Sequence, residues 1–436
     1  MLSNLFSWIN NRKKIKPKVY SRAEHNVSRS NISPNALKVL NRLKRGGYSA
    51  YLVGGCIRDL ILEGKPKDFD VVTDASPEQI KSLFNNCILI GRRFRLAHVR
   101  FGCEIIEVST FRAASSSQHK LNTDGMIMHD NEYGAIDEDA FRRDFTINAL
   151  YYDIRDFSII DYVGGMKDLR KRQLRLIGNP KQRYIEDPVR ILRAIRFAAK
   201  LDFNIHPNTA KPLSQVTDLL QKVSKARVFE EYIKLFLHGK ALATFEALQK
   251  HNSLTILFAI DFNQISPCDL SFIHEALLDT DKRVNAARRV SPGFLIAAFL
   301  WPKYVLELQK NKNNKMKNYE AKIQAIETLL LEQQKLLAIP KRIQAMVADI
   351  WEMQDDFVRK RTPKRAQKLL EQQNFRASFD FLLLRSKIYP EQCLEYANWW
   401  QEFQVADADK QLEMTKVNKT RTSYRRYKPK KSTNDA

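Results

Sequence analysis

The feature that most constrains this chain is a glycine pair followed, after twelve residues, by two aspartates that flank a phenylalanine. The apolar run Tyr51–Val53 predicts a buried strand that ends at Gly54–Gly55. Because glycine lacks a side chain, backbone N–H groups there can approach a phosphate, and a helix beginning near Ile57 adds its positive end. Asp68 and Asp70 enter a second strand, where the alternation of side chains places both carboxylates on one face. The pattern predicts a nucleoside triphosphate site with bound Mg²⁺.

Four blocks, in a fixed order along the chain, carry a resemblance to a known family. They are YLVGGCIRDLILEGKPKDFDVVTD at 51–74, RRDFTINAL at 142–150, EDPVRILRAIRF at 186–197 and KARVFEE at 225–231. Together they resemble the signature of the class II nucleotidyltransferases, the template-independent branch of the polymerase β superfamily that contains bacterial poly(A) polymerases and tRNA CCA-adding enzymes. These blocks span roughly residues 35 to 240. Within the family, the run GRRFRLAHV at 91–99 and the long basic C-terminal part resemble the bacterial poly(A) polymerase I group.

The resemblance implies transfer of AMP from ATP to the 3′-hydroxyl end of single-stranded RNA, with release of pyrophosphate. A triphosphate carries about four negative charges, so this reaction needs charge neutralisation more than covalent help. Asp68 and Asp70 are expected to hold two Mg²⁺ ions, with Mn²⁺ as a substitute, that activate the hydroxyl and grip the triphosphate. Polymerase-type sites recruit a third carboxylate. Asp144 is favoured for it because the family motif includes this residue, and Glu107 in mid-strand is the alternative.

The other expected nucleotide-binding residues share the ability to meet phosphate, ribose or base, and they are Gly54, Gly55, Arg58, Arg143, Asn148, Asp187, Arg190 and Arg193. Asp144 and Asn148 lie four residues apart, so an acid and an amide on one helical face could hydrogen-bond a ribose. The resemblance implies that Asp187 and Arg190 read the edge of the nucleobase. The structural alternative for these residues is an ion-pair network, because Glu186 lies within one helical turn of Arg190.

The net charge indicates a polyanionic partner. The 436 residues include 73 Lys and Arg against 49 Asp and Glu, a formal net charge of +24, and such a surplus favours nucleic acid. The segment Lys416–Lys431 has eight basic residues, two tyrosines and no acid. It predicts an RNA-binding tail that acts through phosphate contacts and stacking, with a solubilising tail as the alternative.

Cysteine usage and hydropathy predict a cytoplasmic protein without a membrane span. The five cysteines are scattered, odd in number and form no CxxC pair, which argues against a disulfide framework or a zinc site and fits a reducing compartment. No run approaches the eighteen apolar residues of a membrane-spanning helix, and the short apolar start of the chain does not have the pattern of a secretion signal.

The expected fold class is α+β, a small mixed-sheet nucleotidyltransferase head followed by an all-helical neck and body and a basic disordered tail. The expected segments are a basic flexible arm at 1–33, the catalytic head at 34–165, a nucleotide- and RNA-binding neck at 166–240, an RNA-binding helical body at 241–405 and the tail at 406–436. The sequence also predicts a poorly ordered loop at 113–139 and a linker between helices at 303–317. Local signals predict a capping box that begins at Ser76, a hairpin turn at Gly102-Cys103 and a strand pair at 150–154 and 158–162.

Two other functions stay open from the sequence. CCA addition to tRNA uses the same four blocks and is the first alternative. A catalytically silent RNA-binding protein that keeps the fold is the second, and the intact acids Asp68, Asp70 and Asp144 argue against it.

Overall fold

The computed structural model describes residues 16–91, 95–113 and 133–415. The chain divides into two compact units, one up to Leu220 and the other from Gln221. The first unit contains a mixed sheet with helices and the second is helical, which confirms the α+β class. The boundary between the units falls inside the segment expected as a neck, and the division into five functional segments stays a prediction. Residues 416–436 of the expected tail, the first fifteen residues and part of the GRRFRLAHV run lie outside the described residues. Residues 408–415, at the start of the segment expected as a disordered tail, form a helix in which Thr415 is buried.

The strands of the first unit are short and follow one another along its whole length. They are β1 (Lys18–Tyr20), β2 (Ala50–Val53), β3 (Asp70–Thr73), β4 (Cys87–Ile90), β5 (Leu96–Phe101), β6 (Glu104–Thr110), β7 (Leu150–Tyr152), β8 (Ile159–Asp161), β9 (Gln173–Leu174) and β10 (Asn204–Ile205). Eight of them form one sheet in the order β1-β8-β7-β2-β3-β6-β5-β4. The pair β3–β6 is parallel and the other neighbours are antiparallel. The centre of the sheet therefore carries β2, which ends just before the glycine pair, and β3, which begins at Asp70.

The helices of the first unit connect and cover these strands. They are α1 (Pro34–Arg45), α2 (Gly55–Ile61), α3 (Pro77–Leu83), α4 (Ile136–Arg142), α5 (Gly165–Arg170), α6 (Pro180–Glu186), α7 (Val189–Leu201), α8 (Pro207–Ala210) and α9 (Leu213–Val216). Local sequence signals explain several of their ends. The Ser76 hydroxyl accepts a hydrogen bond from the N–H of Gln79, and the side-chain oxygen of Gln79 accepts one from the N–H of Ser76. These two bonds form the predicted capping box.

Two sequence expectations in the first unit need correction. The described part of the arm at 1–33 is not free, because β1 pairs with β8 at the edge of the sheet and Tyr20, Val27 and Ile32 are buried. Their irregular spacing lacks the periodicity from which a packed segment is predicted. The loop at 113–139 is also too long at its C-terminal end, since α4 begins at Ile136. Residues 114–132 of that loop lie outside the described residues.

The second unit consists of helices that pack around aromatic side chains. They are α10 (Lys225–Phe236), α11 (Ala241–Lys250), α12 (Leu254–Leu257), α13 (Pro267–Asn285), α14 (Pro292–Asn313), α15 (Asn318–Gln334), α16 (Lys341–Arg359), α17 (Pro363–Leu370), α18 (Phe375–Ile388) and α19 (Pro390–Val405). The linker expected at 303–317 is wrong over most of its length, because α14 continues to Asn313. Buried Tyr304 and Asn311 hold this part of the helix in place, and the lysines that suggested a loop lie mostly on its outer side.

Candidate active site

Five residues form one row across the sheet, and three of them carry polar groups of the candidate site. The strand register pairs Tyr151 with Val53, Val53 with Asp70, Asp70 with Glu107, and Glu107 with His98. Residues paired directly across strands share a face, so Asp70, Glu107 and His98 lie on the same side of the sheet. Nε2 of His98 is 3.2 Å from Oε1 of Glu107. The sheet thus gathers two acids that are distant in sequence.

Burial and neighbouring carboxylates outweigh the counter-charge of Arg143 at Asp70. Burial and the charge of Glu107 raise the pKa of Asp70 to about 6, Asp68 adds to the rise, and Arg143 opposes it. Asp68 lies on an exposed bend just before β3, and Phe69 between the two acids is buried, in agreement with the predicted alternation. Carboxylates that repel one another in this way are stabilised by a bound divalent cation.

The glycine turn lies directly beside Asp70. Gly54 has a φ of +85°, which side chains other than glycine rarely adopt. A Cβ placed there would lie 3.6 Å from Oδ2 of Asp70 and 3.7 Å from Nη1 of Arg143. Helix α2 begins at Gly55, two residues earlier than expected, and has only seven residues, so its dipole is short. The turn, the acid and the guanidinium therefore converge on one small volume, as the sequence predicted for a triphosphate site.

Arg143 is held in place by two side chains that the sequence did not single out. Its Nε donates to Oδ2 of Asp139 at 3.0 Å and contacts the hydroxyl of Tyr151 at 3.1 Å, and this hydroxyl donates to the same Asp139 oxygen at 2.7 Å. Burial alone would lower the pKa of Arg143, but Asp139 and Tyr151 outweigh it and raise the pKa. Arg143 is therefore a fixed cation whose outer nitrogen faces the glycine turn.

Asp144 does not join the carboxylates on the sheet, which corrects the expectation for the third acid. Its Oδ2 accepts hydrogen bonds from Arg193 at 2.9 and 2.5 Å, and its Oδ1 accepts one from Asn148 at 3.1 Å. Burial opposes ionisation of Asp144, yet the charge of Arg193 and these hydrogen bonds hold its pKa well below the usual range. Since Asp144 already has a counter-ion, Glu107 is the better candidate to accompany Asp70.

Arg58 and Asn148 also lie deeper than the sequence suggested. Nη1 of Arg58 donates to Oδ1 of Asn148 at 2.7 Å, and its other nitrogens contact Asp59. The guanidinium of Arg58 is buried over the ring of Phe197, its Cζ 5.2 Å from the ring centroid. Arg193 also packs on this ring. Arg58 therefore orients Asn148, and its expected part in nucleotide binding stays a prediction.

The predicted base-reading pair lies at the junction of α6 and α7. Asp187 ends α6, and its carbonyl accepts the backbone N–H of Arg190 at 3.0 Å. The guanidinium of Arg190 donates to the carbonyl of Arg183 at 2.8 Å and contacts Glu186 at 3.5 Å, and Glu186 also pairs with Arg183. Part of the ion-pair network that was the structural alternative is thus present. The network fixes the position of Arg190, and the reading of a nucleobase by this residue stays a prediction.

A cluster of arginines beside this junction was not anticipated. Burial and the nearby charges of Arg112, Arg183 and Arg190 lower the pKa of Arg142 to about 9. Arg183 also donates to the carbonyls of Arg142 and Arg143 at 2.6 and 2.8 Å. Such a concentration of positive charge suits a polyanionic ligand.

The pairing of Glu107 with His98 could have been predicted from the sequence, whereas the contact between Tyr151 and Arg143 could not. The hairpin turn at Gly102-Cys103 fixes which residues of the two strands face one another, and 98 pairs with 107 in that register. Asp139 lies four residues before Arg143, so their ion pair is a local helical contact, whereas Tyr151 meets Arg143 only through folding of the sheet against α4.

The donor set fits magnesium that is shared with a substrate. Within residues 16–91, 95–113 and 133–415, no group of three or more His, Cys, Asp or Glu side chains is close enough to hold a metal by itself. Magnesium is usually bound by one or two carboxylates together with substrate phosphates, at hard oxygen ligands. Asp70 with its raised pKa, and Asp68 beside it, fit that mode of binding.

Comparison with known proteins decides the family. The model of the poly(A) polymerase head domain matches residues 50–175, the "Probable RNA and SrmB-binding site of polymerase A" matches 202–260, and the polymerase A arginine-rich C-terminus matches 314–432. Poly(A) polymerase I of Salmonella typhi is 46% identical over 408 residues, which cover 91% of this chain and 88% of the relative. This chain belongs to the poly(A) polymerase family. It is thus a nucleotidyltransferase, as predicted.

Other relatives place the chain within that family. Poly(A) polymerase I of Escherichia coli O157:H7 is 47% identical over 89% of this chain and 86% of the relative. The CCA-adding enzyme of Lactobacillus helveticus is 39% identical, but over only 46% of this chain and 49% of the relative. The poly(A) polymerase assignment is thereby confirmed over CCA addition.

Solved structures share the fold. The Bacillus stearothermophilus CCA-adding enzyme in complex with CTP has a TM-score of 0.59 at 22% identity, covering 85% of this chain and 82% of that one. The Thermotoga maritima CCA-adding enzyme complexed with tRNA has a TM-score of 0.60 at 19% identity, covering 91% and 89%. At these identities the likeness concerns the fold alone. Among the described residues, no helix is long and apolar enough to cross a membrane.

Proposed function

We propose that this chain adds AMP from ATP to the 3′ ends of RNA and releases pyrophosphate, as the names of its poly(A) polymerase relatives suggest. The observation that carries the proposal is the placement of Asp70. This carboxyl lies beside the glycine turn and a fixed arginine, and burial with the charge of Glu107 raises its pKa to about 6. This environment is typical of a site that binds a metal cation and a triphosphate, and it differs from that of an acid buried for structural reasons.

Asp68 and Asp70 would hold the Mg²⁺ ions, or Mn²⁺ in their place, with Glu107 as the third acid. Bound metal ions in such sites lower the pKa of the attacking hydroxyl and neutralise charge on the phosphates. The side chains of this chain supply the rest. Arg143 offers a fixed positive charge beside the turn at Gly54, where a phosphate can approach the backbone closely. This arrangement positions the triphosphate without a nucleophilic side chain.

Asp144, Asn148 and Arg193 are proposed to shape the nucleotide pocket as one hydrogen-bonded unit. Asn148 is oriented at both ends, accepting from Arg58 and donating to Asp144. Its orientation is therefore fixed before the nucleotide arrives, which lowers the cost of binding a ribose. Asp187 and Arg190 remain the proposed base-reading residues, with Arg190 anchored on the carbonyl of Arg183.

RNA is proposed to bind along the basic regions of the chain. The charge surplus, the arginines around Arg142 and the family matches at 202–260 and 314–432 all support an extended contact with phosphates. The proposed compartment is the cytoplasm. All five cysteines are free thiols, which fits a reducing environment.

A gel assay with single labelled nucleotides tests the proposal. Purified protein is incubated with Mg²⁺, a short unstructured RNA and one labelled nucleotide at a time. We expect ATP to give products extended by many residues and the other nucleotides to give little. CTP incorporation that is confined to tRNA ends and stops after CCA would instead show the second candidate function, for which the partial match to CCA-adding enzymes is the argument.

A further inference from the structure

The helical unit contains a cavity of about 460 Å³. Its walls come from α14, α16, α18 and α19, so it lies wholly within the second unit, whereas the candidate active site lies wholly in the first. The volume falls within the roughly 300–1,000 Å³ typical of sites for small molecules. The chemistry of its lining shows what kind of molecule it can take.

Arg385 is a cation of this cavity that has no carboxylate partner among the described residues. Its Nη1 donates to Oε1 of Gln354 at 3.2 Å. Gln354 is itself fixed by donating to the carbonyls of Ile350 and Ser378, so its oxygen has to face the arginine. In the part of the chain that the structure describes, the buried Nε of Arg385 has no hydrogen-bond partner and no carboxylate lies within ion-pair distance. A guanidinium that is buried without a counter-ion carries a large desolvation cost, and an anionic ligand would offset it.

The acids that line the cavity are already satisfied and do not compete for Arg385. Asp269 accepts hydrogen bonds from the hydroxyls of Tyr389 at 2.6 Å and Ser266 at 2.7 Å. Asp355 is paired with Lys322 and with Arg359. Arg385 therefore keeps a donor available for a ligand, and exposed Lys312 adds a second positive charge to the lining.

Part of the wall is aromatic. The guanidinium carbon of Arg385 lies 4.5 Å from the ring centroid of Trp301. Tyr304 stacks on Trp351 at 4.6 Å with an interplanar angle of 14°. Tyr396 lines the opposite side. Planar groups that bear a phosphate match such a combination, because an aromatic wall binds the ring and an arginine binds the phosphate.

We propose that this cavity is a second, non-catalytic nucleotide site that binds one nucleoside monophosphate unit, with its phosphate on Arg385 and its base along the aromatic wall. A free phosphate would leave the wall unused, and an uncharged ring would leave the arginine uncompensated. Two sources share this chemistry, namely a free nucleotide and one residue of bound RNA. The RNA source rests on the proposed function, since only a chain that holds RNA would present such a residue there.

Equilibrium dialysis with labelled AMP tests the site. We expect the wild-type protein to bind two AMP molecules per chain and Arg385→Met to bind one, or the second with an affinity at least about tenfold weaker, the loss expected for a charge-assisted phosphate contact. Arg385→Lys should bind more tightly than Arg385→Met. Arg342→Met removes an equal charge from an exposed position on α16 and should bind like the wild type. Adenosine should bind the wild type and Arg385→Met alike at this site, because it has no phosphate.

Crosslinking with 8-azido-AMP locates the second molecule without any substitution, so the test does not depend on how well a variant folds. Adducts on peptides that contain Trp301, Tyr304 or Tyr396 support the proposal, and adducts confined to residues before 221 overturn it. One AMP per wild-type chain, or an unchanged second site in folded Arg385→Met, also overturns it. A short oligo(A) that displaces the adduct more effectively than AMP assigns the site to RNA, and the reverse assigns it to free nucleotide. If AMP does not bind in the cavity but the protein still polymerises ATP, the second site is wrong and the proposed function stands.

Discussion

Asp70 and Glu107 are paired residue for residue on the parallel strands β3 and β6, and this register brings two carboxylates together at the centre of the sheet. Their mutual repulsion and the burial of Asp70 are the reason that the pKa of Asp70 rises to about 6. The neighbouring glycine turn and Arg143 provide space and positive charge for a phosphate next to these acids. The proposed chemistry of the chain depends on this relationship.

The glycine turn offers a prediction with a matched control. Gly54 and Gly47 have φ values of +85° and +86°, but a Cβ at Gly54 would approach Asp70 and Arg143, whereas Gly47 has open space around it. We expect both Gly54→Ala and Gly47→Ala to lose stability from backbone strain, and the ψ of −138° at Gly54, close to a region that is essentially limited to glycine, makes its loss at least about 1–2 kcal/mol. Only Gly54→Ala should raise the KM for ATP and lower kcat. Equal activity of the two variants would show that the turn does not approach the substrate.

The position of Asp144 predicts a structural role that can be separated from metal binding. Asp144→Asn weakens the half-buried ion pair between Asp144 and Arg193, which should cost about 2 kcal/mol in urea denaturation. Asp202→Asn is the control, because its ion pair with Arg172 is exposed and should contribute less than about 1 kcal/mol. A stable Asp144→Asn protein without activity would return Asp144 to the role of third metal ligand.

The raised pKa of Asp70 predicts how stability and magnesium affinity depend on pH. Without metal, the charge on Asp70 costs stability. The cost is absent below about pH 4, where the carboxyl is protonated in both folded and unfolded chains, and grows as the pH rises through about 6. Since Mg²⁺ binds the carboxylate, its affinity should fall about tenfold per unit below pH 6, measured by calorimetry between pH 5 and 8. Glu107→Gln removes the like charge and should move the fall to lower pH; a fall at the same pH would argue against Glu107.

The basic C-terminal segment predicts a salt effect. Removing residues 416–436, which lie outside the described residues, takes away the eight basic residues of Lys416–Lys431. RNA affinity should drop for unrelated sequences, and the slope of log affinity against log salt should flatten by up to roughly five, at about 0.7 per phosphate contact. Filter binding at several salt concentrations measures both. An unchanged slope would assign the segment to solubility.

The sequence predicted features that depend on nearby residues. The capping box at Ser76, the hairpin at Gly102 and the strand pair that includes β7 follow from local hydrogen bonds and turn geometry, and the structure confirms them. The glycine turn and Asp70 were found for the same reason, since one short segment carries both.

Features that join distant residues were not predictable from local patterns. The parallel pairing of β3 with β6 requires a crossover through α3 and two further strands, and it decides that Glu107 meets Asp70. Asp144 finds Arg193 only because α7 packs against the sheet unit. Residues 303–313 looked like a linker because lysine and asparagine are common in loops, but buried contacts on the inner side of α14 override that composition.

The most direct test of the active site is the rate of single-nucleotide addition by Asp70→Asn. Labelled ATP, a short RNA and Mg²⁺ are mixed with the variant, and the extended product is followed in single turnover. Because the substitution keeps the shape of the side chain and removes its charge, we expect a rate at least about a thousandfold lower, with RNA affinity close to the wild type and a melting temperature no lower than that of the wild type. Asp218→Asn, an exposed acid of the same unit, should keep full activity. A variant that retains more than about a tenth of the wild-type rate would contradict the role of Asp70 as a metal ligand.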